Sequence, residues 1–335
     1  MMPLPRATSG LLCLLATGRN TRDDSLPSSV FIGGLGYAGS RIASAFHDAH
    51  PSAKVSGTVR STERREALLS SRPAWLTGNV HVLDIGDEYV GLDQGGVADL
   101  LGADAIVQTI APIADFDRDP ILAFHGESLL GRRTTLPLKY VAYISSTGVY
   151  GNHDGGWVAE EEGGPSSSSE VLRCTDAKSL ARVRAEKEWG KLEQHNEGNA
   201  DSDEIRTPRV DCFRCGGIYG PGRGPLFSPL ESLTESLSSP AEDDDAENDA
   251  QPVKYVNRII VDDICSAILS GMRGNRPYHP GGRAYNLVDD EPSPRRAVVA
   301  EARRLILSAR RDRKAEGTAP LPSSSPNVAA KSGRR

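Results

Sequence analysis

The stretch that most limits what this chain can fold into is VFIGGLGYAGSRIA, Val30 to Ala43. A short β-branched and aromatic run, Val30 to Ile32, feeds directly into closely spaced glycines. They open a segment, Ser40 to His47, in which Ile42, Ala43 and Phe46 recur at helical spacing. The pattern predicts strand, tight turn and helix in immediate succession. Two glycine registers fit, Gly34, Gly36, Gly39 as GxGxxG and Gly33, Gly36, Gly39 as GxxGxxG. In both, a turn without Cβ atoms lets a pyrophosphate approach the backbone, where free N–H groups and the positive end of a helix meet it. Tyr37 and Ala38 stand within that turn.

Downstream, short strands and helices alternate. Lys54–Val59, Val80–Leu83, Ala105–Ile110, Tyr140–Ser145 and Val210–Phe213 read as strands, and Thr62–Leu69 as a helix. This alternation predicts an α/β fold, a doubly wound parallel sheet of Rossmann type with helices on both faces. In such sheets ligands sit beyond the carboxyl ends of the strands, so the residues that follow each strand are the ones to examine.

The 335 residues suffice for a sizeable core, but only 38% are hydrophobic, which predicts unfolded stretches. Residues 1–28 are expected to be a removable or disordered leader, with three arginines and no acid before Asp23. The chain is expected to be cytoplasmic, or to reach an organelle such as a plastid or mitochondrion if that leader is a transit peptide. Gly163–Ser169, Glu197–Asp203 and the acidic run Ser238–Gln251 read as loops, the last without EF-hand spacing. Residues 311–335 read as a disordered basic tail.

A net charge of −6 argues against a general nucleic-acid binder, and no apolar run is long enough for a membrane span. Five cysteines, odd in number, do not form a disulfide framework. Cys212 and Cys215 stand three apart in a strand and point to opposite faces, so no metal site is expected there or among the histidines.

Several motifs then line up in order. They are VFIGGLGYAG, GTVRS (Gly57 to Ser61), IAP (Ile110 to Pro112), YISSTGVYGNHDGGWVAE (Tyr143 to Glu160), GGIYGPGRG (Gly216 to Gly224), NRIIVDDI (Asn257 to Ile264) and YNLVDDEP (Tyr285 to Pro292). Together they resemble the extended short-chain dehydrogenase/reductases, the NAD(P)-dependent epimerase/dehydratase group, in an atypical branch. The resemblance implies a nucleotide-binding domain over residues 29–310 and a smaller substrate lobe from about 222–256 and 285–310. It implies a small-molecule substrate such as a sugar nucleotide and leaves room for a homodimer.

Arg60 and Ser61 follow the second strand, where an arginine suits the 2′-phosphate of NADP and an acid the ribose of NAD. NADP is therefore expected, with NAD open. By resemblance Asp84 serves the adenine side, Ala111 and Pro112 the wall along the cofactor, and Tyr219 the loop over the nicotinamide end. Ser145 stands beside the serine position, occupied by Ser146, which in the family hydrogen-bonds the substrate oxygen.

The YxxxK pair of the family is missing. Counted back from Ala185-Glu186, Lys178 takes the tyrosine position and Arg182 the lysine position. The helix around them carries an apolar stripe, Ala177, Ala181, Ala185, Trp189 and Leu192. Lys178, Arg182 and Glu186 share another face, where a surface ion pair is the plain expectation. Lys178 as a base, or Tyr150 reaching in from the strand end, are the candidate catalytic groups beside Ser146. Two functions stay open, an NADP-dependent oxidoreductase or epimerase, and a cofactor-binding protein of weak or no turnover that acts as sensor or partner.

Overall fold

In the computed structural model the described residues are 26–85, 90–113, 118–132, 135, 137–154, 156–160, 172–193, 207–228, 230, 232–234, 255–274 and 282–315. Residues 1–25 of the expected leader, the expected loops at 163–169, 197–203 and 238–251, and the part of the expected tail beyond residue 315 lie outside them.

The glycine stretch folds as read: β1 (Ser29–Gly33) turns into α1 (Tyr37–Ala49), three residues longer at its start than the apolar spacing alone marks out. Then follow β2 (Lys54–Val59), α2 (Thr62–Ser71), β3 (Val80–Val82), α3 (Gln94–Leu101), β4 (Ala105–Gln108), α4 (Pro120–Arg132), β5 (Tyr140–Ser146), α5 (Ala177–Gly190) and β6 (Arg209–Cys215). The second half adds β7 (Gly217–Tyr219), β8 (Tyr255–Val256), β9 (Arg258–Ile260), α6 (Val261–Arg273), β10 (Arg283–Leu287), β11 (Ser293–Pro294) and α7 (Arg295–Ala315).

Seven strands form one sheet in the order β3-β2-β1-β4-β5-β6-β10, with parallel pairing throughout. The order reverses between β1 and β4, the position at which open α/β sheets leave a crevice at their carboxyl ends. Alternation along the strands divides the core in two. Val30 and Ile32 pack with Ile42 and Phe46 of α1 and Ile264 and Ile268 of α6. Phe31, Ile106 and Val141 pack on the other face with α3, α4 and α5, including Ile121, Leu129 and Trp189. Cys212 and Cys215 are both buried and free, one in each of these layers, so their opposite orientation is observed directly.

Beyond the sheet, β8 pairs with β11 and β7 with β9, and α7 packs on the short turn Pro225–Phe227. Because β10 belongs to the main sheet, the part of the small lobe read from residue 285 starts as sheet and leaves it only after Leu287. α7 runs to Ala315, into what reads as a tail, because its Arg, Ala and Leu residues are strong helix formers. Among the described residues no helix is long and apolar enough to cross a membrane.

Candidate functional site

The carboxyl ends of the strands bring together most of the residues singled out from the sequence. At the centre is the turn from β1 to α1, in which each glycine has its own reason to lack a side chain. Gly34 has φ +91°, a conformation that L side chains rarely adopt. A Cβ on Gly39 would stand 2.0 Å from the Gly34 carbonyl oxygen, so its absence lets helix pack on turn. Gly36 is exposed, and a Cβ there would meet nothing within 4 Å. Open space over the middle glycine, with strained turn and close packing on either side, is the arrangement of a phosphate-approaching GxGxxG. Gly33 ends β1 buried against Gln108, whose side-chain oxygen would be 2.0 Å from an added Cβ.

Two threonines that the sequence reading passed over hold this turn. Thr58, in β2, accepts the Gly34 N–H on its hydroxyl at 2.8 Å and the Leu35 N–H on its carbonyl at 2.7 Å. Thr109, just past β4, sets its hydroxyl between the carbonyls of Gly33 and Gly34 at 2.9 and 2.8 Å. A hydroxyl at the end of each flanking strand is the only local signal they carry.

Gly36 gives α1 no side-chain cap, and the first turn of that helix holds no acid. By contrast α2, α3 and α5 are capped by Ser61, Asp93 and Asp176. The leading N–H groups of α1 therefore stand at the reversal of strand order without a side-chain cap, and they carry the positive end of the helix dipole.

Around this turn, Arg60 is exposed directly after β2, while Ser61 caps α2 by accepting the Arg64 N–H at 3.3 Å. Asp84 is half-buried after β3, Ala111 is exposed after β4, and Pro112 is buried. Tyr219 ends β7, its phenol engaged with Asp289; burial, then the Asp289 charge, hold that phenol above its ordinary value.

The residues near β5 divide. Ser146 caps the short turn Thr147–Tyr150, accepting the Gly148 N–H at 3.2 Å. A Cβ on Gly148 would lie 3.2 Å from Ser179 Oγ and 3.5 Å from Ser146 Oγ, so the start of α5 meets the end of β5 there. Lys178 is exposed one residue earlier, and Arg182 is half-buried, its Nη1 donating to the Lys178 carbonyl at 3.5 Å.

Ser145 and Tyr150 belong to a buried network instead. Ser145 donates to Glu186, Arg214 Nη2 meets the other Glu186 oxygen at 2.9 Å, and Arg214 Nη1 donates to the Tyr150 hydroxyl at 3.0 Å. That hydroxyl in turn donates to Asn286 Oδ1 at 2.7 Å. The Tyr150 hydroxyl is thus committed both as donor and as acceptor, away from an exchanging position. Glu186 is 1% exposed, so the surface ion pair expected with Arg182 is replaced by a buried one with Arg214. Burial opposes the Arg214 cation, and the Glu186 carboxylate overcomes it, raising the guanidinium above its ordinary value. The apolar stripe of α5 holds for Ala181, Ala185, Trp189 and Leu192, whereas Ala177 is exposed.

Sheet order and glycine turn define a Rossmann-type fold, and comparison with solved structures gives the same class. The chain matches no protein-family model and no curated protein sequence. Among solved structures it is similar to the ADP-L-glycero-D-manno-heptose-6-epimerase of Helicobacter pylori at 15% identity and TM-score 0.52, over 86% of this chain and 85% of that one. It is similar to the UDP-glucuronic acid 4-epimerase of Bacillus cereus, solved with NAD, at 13% identity and TM-score 0.53, over 88% and 85% of the two chains. A third is the dTDP-glucose 4,6-dehydratase of Bacillus anthracis, also with NAD, at 16% identity and TM-score 0.52, over 83% and 80%. At these identities the likeness is one of fold.

Proposed function

We propose that this chain binds NADP(H) and acts as an oxidoreductase or epimerase on a sugar nucleotide or similar hydroxylated small molecule. The observation that carries the reading is the uncapped, acid-free start of α1 at Gly36, held open by Thr58 and Thr109 at the point where the strand order reverses. A helix start of this kind favours a diphosphate. The solved structures similar in fold include NAD complexes of a sugar-nucleotide epimerase and a dehydratase, which supports a dinucleotide in this crevice.

Arg60, exposed after β2, is the residue for a 2′-phosphate, with the Ser61 hydroxyl beside it. Asp84 borders the adenine side and Ala111 and Pro112 the wall along the dinucleotide. The nicotinamide supplies hydride chemistry when bound. Ser146 then orients a substrate oxygen, Tyr219 borders the nicotinamide end, and Arg182 adds positive charge along the ribose. Calorimetric titration of wild type and Arg60→Ala with NADP and NAD tests the reading. Wild type should prefer NADP by about ten- to a hundredfold, as charge-assisted bonds to a phosphate allow, and the variant should lose that preference. Equal affinities for both cofactors in both proteins would remove Arg60 from the site.

Three observations favour a second reading, a cofactor-binding sensor with little turnover. α5 carries no tyrosine, Lys178 is exposed rather than desolvated, and the Tyr150 hydroxyl is fully bonded. Neither α5 nor Tyr150 then supplies a phenol poised to exchange protons with a substrate. NADPH oxidation followed against a panel of ketones and sugar nucleotides separates the two readings.

A further inference from the structure

The motif GPGRG folds into a tight turn in which Gly220 and Arg223 exchange backbone hydrogen bonds, Gly220 N–H to the Arg223 carbonyl at 3.1 Å and Arg223 N–H to the Gly220 carbonyl at 2.9 Å. Gly220, Gly222 and Gly224 have φ of +149°, +79° and +110°, so a specific glycine-built backbone presents this arginine. It presents it in an unexpected place. The guanidinium carbon lies 5.2 Å from the ring centre of Tyr37, the first residue of α1.

A cation is unfavourable at the positive end of a helix. Here neither a cap at Gly36 nor an acid in the first turn offsets it, and among the described residues Arg223 has no acidic partner. Stacking on the Tyr37 ring contributes some stabilisation, but an exposed cation–π contact is weak. The Tyr37 hydroxyl oxygen is sealed from solvent beside Gly220, where an added Cβ would lie 2.8 Å from it, and the turn therefore needs a glycine at that position. Unpaired helix N–H groups and a guanidinium with no acidic partner among the described residues thus meet at the start of α1, where nothing stands within 4 Å of a Cβ added at Gly36. An anion at that position offsets both.

We propose that Arg223 is a binding residue for the diphosphate of the dinucleotide, closing over it from the small lobe while the α1 turn holds it from below. The proposal rests on the reading of that turn as a dinucleotide site. It also gives GPGRG a function as a clasp, which its glycines alone do not imply.

Calorimetric titration of ADP and UDP into wild type, Arg223→Ala and Arg223→Lys tests it. ADP carries the diphosphate without a 2′-phosphate, so it reads the diphosphate contact by itself. Arg223→Ala should bind ADP about tenfold more weakly, the loss expected for one charge-assisted contact, and Arg223→Lys should recover part of it. Among the described residues the guanidinium has no hydrogen-bond or ion-pair partner, so the melting temperature of Arg223→Ala should match wild type. Undiminished ADP affinity in Arg223→Ala would overturn the clasp and leave the dinucleotide reading standing. Weakened UDP with unchanged ADP would move the arginine to a substrate diphosphate and equally overturn it. Failure of wild type to bind ADP would overturn both.

Discussion

Glu186 and Arg214 meet at 2.9 Å with neither side chain exposed to solvent, joining α5 to β6 beneath the carboxyl ends of the sheet. The pair is the hub of a chain of polar contacts. Ser145 reaches it from β5, Tyr150 from the turn after β5, and Asn286 from β10 through Tyr150. The Asn286 N–H also donates to Glu160 Oε1, at 2.6 Å, which ties the loop after β5 to the last strand of the sheet. A buried pair of this kind adds little net stability, but it does fix which elements meet. Here it sets the depth and rotation of α5, and with them the positions of Lys178 and Arg182.

Removing one member of the pair should therefore be severe. Arg214→Leu leaves Glu186 charged and unpaired in the interior and should cost about 3–5 kcal/mol in denaturant unfolding. Arg214→Met combined with Glu186→Leu removes both charges, so its cost should fall below the sum of the single changes. A single-variant cost under about 1 kcal/mol would show that α5 takes its position from packing alone.

The clamp on the glycine turn gives a second expectation. Thr109→Val keeps shape and removes the hydroxyl shared between Gly33 and Gly34, at a cost of about 1 kcal/mol. ADP should bind several-fold more weakly, because the turn it needs is less well held, and Thr109→Ser should restore both properties. Unchanged binding in Thr109→Val would mean that Thr58 alone holds the turn.

A third expectation concerns pH. Asp119 accepts both contacts from Gln108 Nε2, at 2.9 and 2.7 Å, and caps α4 through the N–H groups of Ile121 and Leu122. Burial nevertheless outweighs these bonds and pushes its carboxyl up to about 6. A raised carboxyl binds its proton more tightly folded than unfolded, so its contribution is most favourable below about pH 4. It declines as pH rises through 6, then levels off, by about 3 kcal/mol in all. Asp99 runs the other way. Burial opposes its charge, but bonds from Lys54, His81 and Asn79 prevail and hold it well below the carboxylate range, so its contribution is lost only in strong acid. Subtracting the unfolding free energies of Asp119→Asn from those of wild type across pH 3 to 8 isolates the Asp119 curve. A flat difference would contradict the assignment.

The sheet was legible because its signals are local. Val30–Ile32, Tyr140–Ser145 and Val210–Phe213 are β-branched or aromatic runs, and the structure extends them by a residue or two. Asp119-Pro120 also carries a local signal, a cap followed by proline at the first helical position, and it marks the start of α4. The polar partners were not legible. Glu186 finds Arg214 across 28 positions and Tyr150 finds Asn286 across 136, and no spacing rule spans such separations. The helical wheel placed Glu186 correctly with Lys178 and Arg182, but it could not show that β6 would bring a cation to bury it. Arg223 was hidden for the same reason: GPGRG reads as turns, and only the fold sets it on Tyr37.

The last expectation concerns the missing pair itself. Lys178 and Arg182 stand one turn apart on α5, and the adjoining Ser179 meets the Ser146 turn at Gly148, so this stretch of helix borders the end of β5. Glu186, one turn further on, is locked by Arg214, which keeps the helix from rotating when the two positions are changed. Lys178→Tyr with Arg182→Lys then installs a phenol next to an ammonium, a combination that lowers the phenol pKa and suits proton exchange. General acid–base catalysis is worth about 100- to 10,000-fold, so NADPH turnover in the double variant should rise above a slow or silent wild type, within that range. Each single change should give less than the pair, since a phenol without its ammonium and an ammonium without its phenol each supply half of the arrangement. Brisk wild-type turnover that survives Lys178→Ala and Ser146→Ala separately would show that proton transfer is handled elsewhere in the chain, and that the α5 face serves binding alone.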